Sequence, residues 1–425
     1  MTMLILGAGV SGTAASRLAR SRDLPVLIYD ENPDSVVELR KEGVETVAGP
    51  WERRLMTGIE TVVASPGFSE VSRPIHDCLT AGLPVWSEVE FAASYAEAPL
   101  IAVTGTNGKT TTTLLIAEML SRSGHKAAAV GNIGTALSDV ADEPWDVLVV
   151  EVSSFQLRFI ADFHPDIAVV LNVAEDHLDW HGSIEAYRDA KARISENQGS
   201  DDLLIYNADD AGASHIAVQA PTRTMPLRAP GLLAEGPAAA LRAGGALVPR
   251  ASLFVSDPAY LMDFAAAAEA AAAAGAKPEG IYEALVAFRP AEHRRTLVAE
   301  RRGVAWVDDS KATNPHAALA SISAYPSVVL IAGGRNKGLE LAPVVAHPNL
   351  KAVVAIGEVQ EELIGAADVT AYGADGMQEA VKIAAGLARS GDTVLLAPAC
   401  ASFDMFSSYS ERGEAFADAI LRKDL

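Results

Sequence analysis

Leu100-Ile101-Ala102-Val103-Thr104-Gly105-Thr106-Asn107-Gly108-Lys109-Thr110-Thr111-Thr112 joins an apolar run to a glycine loop, and Leu114 to Leu120 then continues with helical spacing. Strand, glycine loop and helix in that order form a phosphate-binding arrangement. The glycines let backbone N–H groups turn toward a phosphate, and the helix N-terminus adds positive potential. Lys109 is placed to reach the terminal phosphates and Thr110 to hold Mg²⁺, so Gly105, Thr106, Asn107, Gly108 and Thr111 are read as a nucleoside-triphosphate loop. A plain glycine turn before an ordinary helix is the alternative, and Gly-Lys-Thr at this switch argues against it. The general pattern has a glycine where Val103 stands, which makes the loop a shortened variant.

Upstream, Leu4-Ile5-Leu6 runs into Gly7-Ala8-Gly9-Val10-Ser11-Gly12, a helix to about Arg22, and Val26-Leu27-Ile28-Tyr29 ending at Asp30. This is a dinucleotide-type fingerprint with an acidic residue placed for a ribose hydroxyl. A triphosphate loop would have no task in a dehydrogenase, so the fingerprint is free to hold the diphosphate of another nucleotide. Thr61-Val62-Val63-Ala64 leads into Ser65-Pro66-Gly67, a tight loop at a strand's carboxyl end, where such sheets bind ligands.

Downstream, Val147 to Val150, Ile167 to Leu171 and Leu203 to Tyr206 are continuous apolar runs, as in a parallel sheet covered on both faces. Glu151 directly follows one of them and Asn172 to Asp179 another. In Ile184 to Ile194 the apolar stripe is Ile184, Tyr187 and Ile194, and Lys191 falls on it. Either Lys191 lays its stem on the core and snorkels outward, or its amine is buried and needs a partner or a changed charge. Residues 208 to 258, with Pro221, Pro226, Pro230, Pro237 and Pro249, read as loop-rich, and helices are predicted from Pro258 to Ala274 and Pro278 to Ala287.

The remainder alternates again, with strands at Val304 to Val307, Val328 to Ile331, Ala352 to Ile356 and Thr393 to Leu396. The predicted class is therefore α/β with three domains: a Rossmann-like unit over 1–97, a P-loop parallel-sheet unit over 98–290 and a second Rossmann-like unit over 291–425. The length agrees, since 425 residues suggest two or three domains at about 150 each. Acidic residues exceed basic ones by 55 to 34, a net charge of −21, which argues against a nucleic-acid partner. Cys78 and Cys400 make no disulfide framework or zinc spacing. No apolar run approaches the roughly 20 residues that span a bilayer, and Met1 to Leu6 has no leader character, so the expectation is a cytoplasmic protein without a membrane partner.

Gly105 to Thr110, Asn172 to Asp179 and Asp309-Ser310-Lys311-Ala312-Thr313-Asn314 together resemble the signatures of the Mur ligases, ATP-dependent amide-forming enzymes of peptidoglycan precursor synthesis. Gly7 to Gly12, Glu151 to Leu157, Pro398 to Asp404 and Arg412-Gly413 narrow the resemblance to the member that adds glutamate to UDP-N-acetylmuramoyl-L-alanine. The resemblance implies that Lys109, His177 and Lys191 are catalytic, with Arg294 near the ATP phosphates and Asp309 near its ribose. It implies two Mg²⁺ sites, one held by Thr110 and Glu151, the other by His177 and a carbamylated Lys191. An inward amine is disfavoured in its charged form, and carbamylation requires the neutral one. Val10, Ser11, Gly12, Asp30, Glu31, Gly67, Asn132 and His177 are implied for the UDP substrate. Lys311, Thr313, Lys337, Ser402, Phe403 and Tyr409 are implied for the amino acid. Thr313 as a helix cap and Phe403 as core residue are the competing readings. A monomer is expected.

Two departures stand against the family pattern. Asp257-Pro258-Ala259-Tyr260-Leu261-Met262-Asp263 replaces Gly-x-His-Asn-x-x-Asn, and Pro290 to Thr296 replaces Gly-Leu-Pro-His-Arg-x-Glu, retaining His293 and Arg294. The alternatives are a ligase for L-glutamate or another acidic amino acid, and a non-catalytic nucleotide-binding homologue.

Overall fold

The computed structural model describes residues 2–228 and 240–422. It contains three separate main sheets. The first is wholly parallel in the order β3-β2-β1-β4-β5, from β1 (Met3–Leu6), β2 (Val26–Asp30), β3 (Glu45–Ala48), β4 (Thr61–Ala64) and β5 (Val85–Ser87). Strand order reverses beside β1, so Gly7 to Gly12, Asp30 and the Ser65 loop share one edge, the usual ligand crevice of such sheets. A Cβ on Gly12 would lie 1.8 Å from the Gly7 carbonyl oxygen, so only glycine allows the helix Val10–Ser21 to approach the loop this closely.

The second sheet is also parallel, in the order β11-β10-β9-β6-β8-β7. It comprises β6 (Leu100–Thr104), β7 (Ala127–Gly131), β8 (Val147–Glu151), β9 (Ile167–Val170), β10 (Leu203–Asn207) and β11 (Arg223–Leu227). The chain leaves β6 through the glycine loop into the helix Lys109–Arg122, with β8 on one side and β9 on the other. The helices Pro258–Ala273 and Pro278–Ala287 pack on that helix, and Ala265 to Ala268 are at most 1% exposed. Small side chains permit that close approach.

The loop-rich reading of 208–258 is corrected by a helix at Ala211–Gln219, by β11, and by a hairpin of β12 (Ala240–Ala243) and β13 (Ala246–Pro249). Pro226 is compatible with β11 because that strand is at the sheet's edge, where one N–H side needs no partner. The hairpin turns on Gly244 and Gly245, both with positive φ (56° and 77°), as a two-residue connection requires. Pro230 and Pro237 lie outside the described residues.

The third sheet runs β14-β15-β19-β16-β17-β18. Its strands are β14 (Thr296–Arg301), β15 (Val304–Asp308), β16 (Val328–Gly333), β17 (Leu350–Ile356), β18 (Thr370–Gly373) and β19 (Thr393–Leu396). All pairs are parallel except β14 with β15, an antiparallel edge missed in the sequence. The chain forms two compact units, 2–173 with 185–288 and 174–184 with 289–422, so the short segment after β9 belongs with the third sheet. Among the described residues no helix is long and apolar enough to cross a membrane.

The Gly12 contact gives a paired prediction. Gly12→Ala should cost about 1–3 kcal/mol through overpacking and lower the thermal midpoint. Gly9→Ala, whose Cβ would meet nothing within 4 Å, should stay within about 0.5 kcal/mol of the parent. Equal midpoints for the two variants would contradict the assignment.

Candidate active site

At the carboxyl end of β6 the sheet's register sets Val103 beside Glu151 of β8 and Thr104 beside Val170 of β9. The ends of all three strands therefore meet at the glycine loop, which is held from the β9 side by one residue. The Asn172 carbonyl accepts Thr106 N–H (2.9 Å), its Oδ1 accepts Asn107 N–H (2.9 Å), and its Nδ2 donates to the Asn107 carbonyl (3.1 Å). Gly108 has φ +87° and begins the helix whose first residues are Lys109, Thr110 and Thr111. Lys109 Nζ donates to the Gly105 and Thr106 carbonyls at 2.8 and 2.9 Å.

Lys191 points into the same loop. It is 1% exposed, its Nζ donates to the Gly105 carbonyl at 2.9 Å, and it stands 4.5 Å from the Tyr187 ring centroid. That geometry excludes the snorkelling alternative. Thr106 and Tyr187 hydroxyls are paired at 3.2 Å. Two lysine amines thus share one carbonyl oxygen.

Glu151 is 2% exposed. Its Oε1 accepts from Asn132 Nδ2 at 3.0 Å, while Oε2 is buried and has no hydrogen-bond partner among the described residues. A buried carboxylate oxygen facing a phosphate loop fits Mg²⁺, which takes one or two carboxylates and completes its shell with phosphate and water. Gly131 permits this arrangement, since at φ +97° a Cβ there would lie 2.4 Å from the Glu151 carbonyl. Asn132, implied for the sugar nucleotide, orients Glu151 in this structure.

The divergent stretch 257–263 also has a local account. Asp257 caps the helix Pro258–Ala273, its Oδ1 accepting from Ala259 and Tyr260 N–H. Asp263 lies against the loop, close enough that a Cβ on Gly108 would meet its Oδ1 at 2.3 Å. A carboxylate therefore stands where the family pattern has an amide.

In the first sheet, Asp30 Oδ2 accepts Ala8 N–H at 2.8 Å and Oδ1 accepts Asn32 N–H at 2.9 Å, so the acid braces the glycine turn. Val10, Ser11, Glu31 and Gly67 are open or partly open around it, and Gly12 is buried beneath.

The third sheet presents three loops from the adjacent strands β15, β19 and β16. Lys311 lies 3.8 Å from the Tyr409 ring centroid. Burial pushes the Tyr409 hydroxyl upward, but Lys311, Ser410 and Arg294 together hold the group below the usual phenol range. Asn314, not Thr313, caps the following helix, Pro315–Ser323, accepting Ala317 N–H at 2.8 Å. Ser402 is 2% exposed and its Oγ is buried without a partner among the described residues. Phe403 is 66% exposed and therefore not core. It lines an open cleft of about 750 Å³ with Lys337, Arg335 and His177.

His177, at φ +54°, receives its orientation from Asp176, whose Oδ1 accepts His177 N–H at 2.9 Å. Asp176 also accepts Lys337 Nζ (3.0 Å) and Asn314 Nδ2 (3.0 Å). Burial pushes the Asp176 carboxyl upward, yet His177, Lys337 and Asn314 together hold it below the ordinary carboxylate range. Asp309 is different: burial raises it, and Arg295, Ser321 and Arg294 only partly offset that rise. His293, beside Arg294, is tied to Asp308 through Nδ1 at 2.6 Å. Asn172, Tyr187, Asp176 and Asn314 had no assigned role in the sequence reading. The signals for Asn172 and Asp176 were their place just beyond an apolar strand and their membership of the stretch Asn172 to Asp179 that carries the family resemblance.

Such a loop, with a metal-compatible carboxylate beside it and a cation-rich cleft at the third sheet, is that of the Mur ligases, and the chain belongs to that family. Three family models match: a Mur ligase MurD-like N-terminal domain over residues 1–87, a Mur ligase middle domain over 103–232, and a Mur ligase glutamate ligase domain over 293–400. The UDP-N-acetylmuramoylalanine–D-glutamate ligase of Frankia casuarinae is 43% identical, over 100% of this chain and 94% of that protein. The enzyme of the same name from Halalkalibacterium halodurans is 37% identical, over 98% and 96%. Among solved structures, MurC of Thermotoga maritima has a TM-score of 0.61 at 18% identity, covering 99% of both chains. MurF of the same organism in complex with ADP has 0.63 at 18%, covering 93% of both. At such identities these two show the shared fold.

The Asn172 bracket is testable by itself. Asn172→Ala should weaken ADP binding roughly ten-fold, because it removes both side-chain bonds from Asn172 to the Asn107 backbone. Calorimetric titration giving the parent's affinity would show that the bracket does not shape the loop.

Proposed function

We propose that this chain is an ATP-dependent ligase that joins D-glutamate to UDP-N-acetylmuramoyl-L-alanine, forming an amide in the cytoplasm. The observation that carries the reading is the β6 loop with the buried, unpartnered Glu151 oxygen at its side. The near-full-length kinship to D-glutamate ligases supports the choice of substrates.

The chemistry follows from charge. The alanine carboxylate attacks the γ-phosphorus of ATP, ADP leaves, and an acyl phosphate results. The amine of glutamate then adds to the acyl carbon, inorganic phosphate departs, and a proton is lost from nitrogen. In the first step an anion meets a polyanion, so cations must cancel their repulsion. Lys109 would turn from the loop carbonyls to the phosphates, while the backbone N–H groups of Gly105 to Thr111 hold them. Mg²⁺, when bound by Thr110 and Glu151, would neutralise charge on the phosphate oxygens. His177 would offer an imidazole ligand to a second ion, and Lys191 would contribute an anionic ligand as its carbamate.

Val10, Ser11, Gly12, Asp30, Glu31 and Gly67 would receive the UDP moiety at the first sheet's switch point. Lys311, Thr313, Lys337, Ser402, Phe403 and Tyr409 would receive glutamate, and Arg294 and Asp309 would meet ATP. The proposed domain limits are 1–97, 98–290 and 291–425, with one main sheet in each. A monomer suffices for all of these groups.

Phosphate release should require ATP, Mg²⁺, UDP-N-acetylmuramoyl-L-alanine and D-glutamate together, with L-glutamate far weaker. No release with either enantiomer would overturn the reading, and a preference for L-glutamate would move it to a sister specificity. Lys191→Ala should abolish turnover and regain part of it with added short carboxylates. Full activity of that variant would remove the carbamate from the account.

A further inference from the structure

Behind the third-sheet cleft lies an arginine that no step above uses. Arg412, in the first turn of the helix Tyr409–Leu421, is 1% exposed. Its Nε donates to Ser310 Oγ (3.0 Å), Nη2 to the Ser310 carbonyl (2.9 Å), and Nη1 to the Cys400 carbonyl (3.1 Å) and, at 3.5 Å, to that of Gly333. These neutral oxygens belong to the three loops that leave β15, β19 and β16. Burial pushes the guanidinium down to about 10, which leaves it cationic at neutral pH.

A buried cation met by neutral oxygens is costly to keep, and the geometry shows what it does there. Only a planar fork with several fixed donors can hold acceptors on three chain segments at once, which a lysine point charge cannot do. The loops are drawn tightly together. A Cβ on Gly334 would lie 2.2 Å from the Ala401 carbonyl and 3.2 Å from Arg412 Nη1. Gly413 likewise leaves room for His293 and Asp308, which a Cβ would meet at 2.1 and 2.6 Å. Ser310 Oγ carries the chain onward by donating to the Tyr409 carbonyl at 2.7 Å.

We propose that Arg412 is a positioning residue for the amino-acid site, its guanidinium fixing the spacing of the loops that present Lys311, Lys337 and Ser402 to the two carboxylates of glutamate. The inference rests on the reading that these loops receive glutamate. It predicts a separable kinetic signature, because the groups read as receiving the UDP moiety are on the first sheet and not on these loops.

The full-length enzyme is assayed as wild type, Arg412→Lys and Ser310→Ala. Arg412→Lys should raise KM for D-glutamate roughly ten-fold or more while KM for the UDP substrate stays within about two-fold. Ser310→Ala, which removes one acceptor, should shift KM for glutamate in the same direction by less. An equal shift of both constants, or a loss confined to kcat, overturns the proposal. If Arg412→Lys fails to fold, Ser310→Ala decides, and an unchanged KM for glutamate overturns it. A wild type whose phosphate release ignores glutamate instead overturns the site reading, and the inference falls with it.

Discussion

The Gly105 carbonyl oxygen, shared by the amines of Lys109 and Lys191, is the constraint around which the central unit is arranged. Both cations are brought to one point by a hydrogen-bonded loop. Asn172 holds it from β9, and Gly108 turns it into the helix. The Lys191 amine is thereby held buried against the loop, beside the Tyr187 ring. Glu151 keeps one oxygen open nearby, oriented by Asn132 across a glycine that admits no side chain.

The third sheet solves a different problem with similar means. Under the proposed function its loops hold Lys311, Lys337 and Ser402 at distances suited to a dicarboxylate, and loops alone are soft. Arg412 supplies the internal brace, and Asp176 neutralises Lys337 from the opposite side while orienting His177. The cleft's lysines are in this way kept partnered and ordered, Lys337 by Asp176 and Lys311 by the Tyr409 ring.

Much of this was legible in the chain. Gly-Thr-Asn-Gly-Lys-Thr after Leu100 to Val103 is local, so strand, loop and helix could be read directly, as could the inward face of Lys191 from its spacing to Tyr187. The Asn132–Glu151 pair could not be read, because it depends on β8 lying between β6 and β7, a fact of strand order rather than spacing. Arg412 was visible as part of a motif, but its role needs three loops from distant segments to converge. β7 begins Ala127-Ala128-Ala129, a weak strand former that only pairing with β8 makes extended. The Gly244-Gly245 hairpin did carry a local signal, which the surrounding prolines obscured.

The central claim is that the substrate carboxylate attacks the γ-phosphorus, and isotope transfer tests it most directly. UDP-N-acetylmuramoyl-L-alanine carrying the heavy isotope of oxygen in both carboxylate positions is turned over with ATP and D-glutamate, and the released phosphate is analysed by mass. One labelled oxygen should appear in each phosphate, the other remaining in the amide carbonyl. Phosphate released without label would contradict the account.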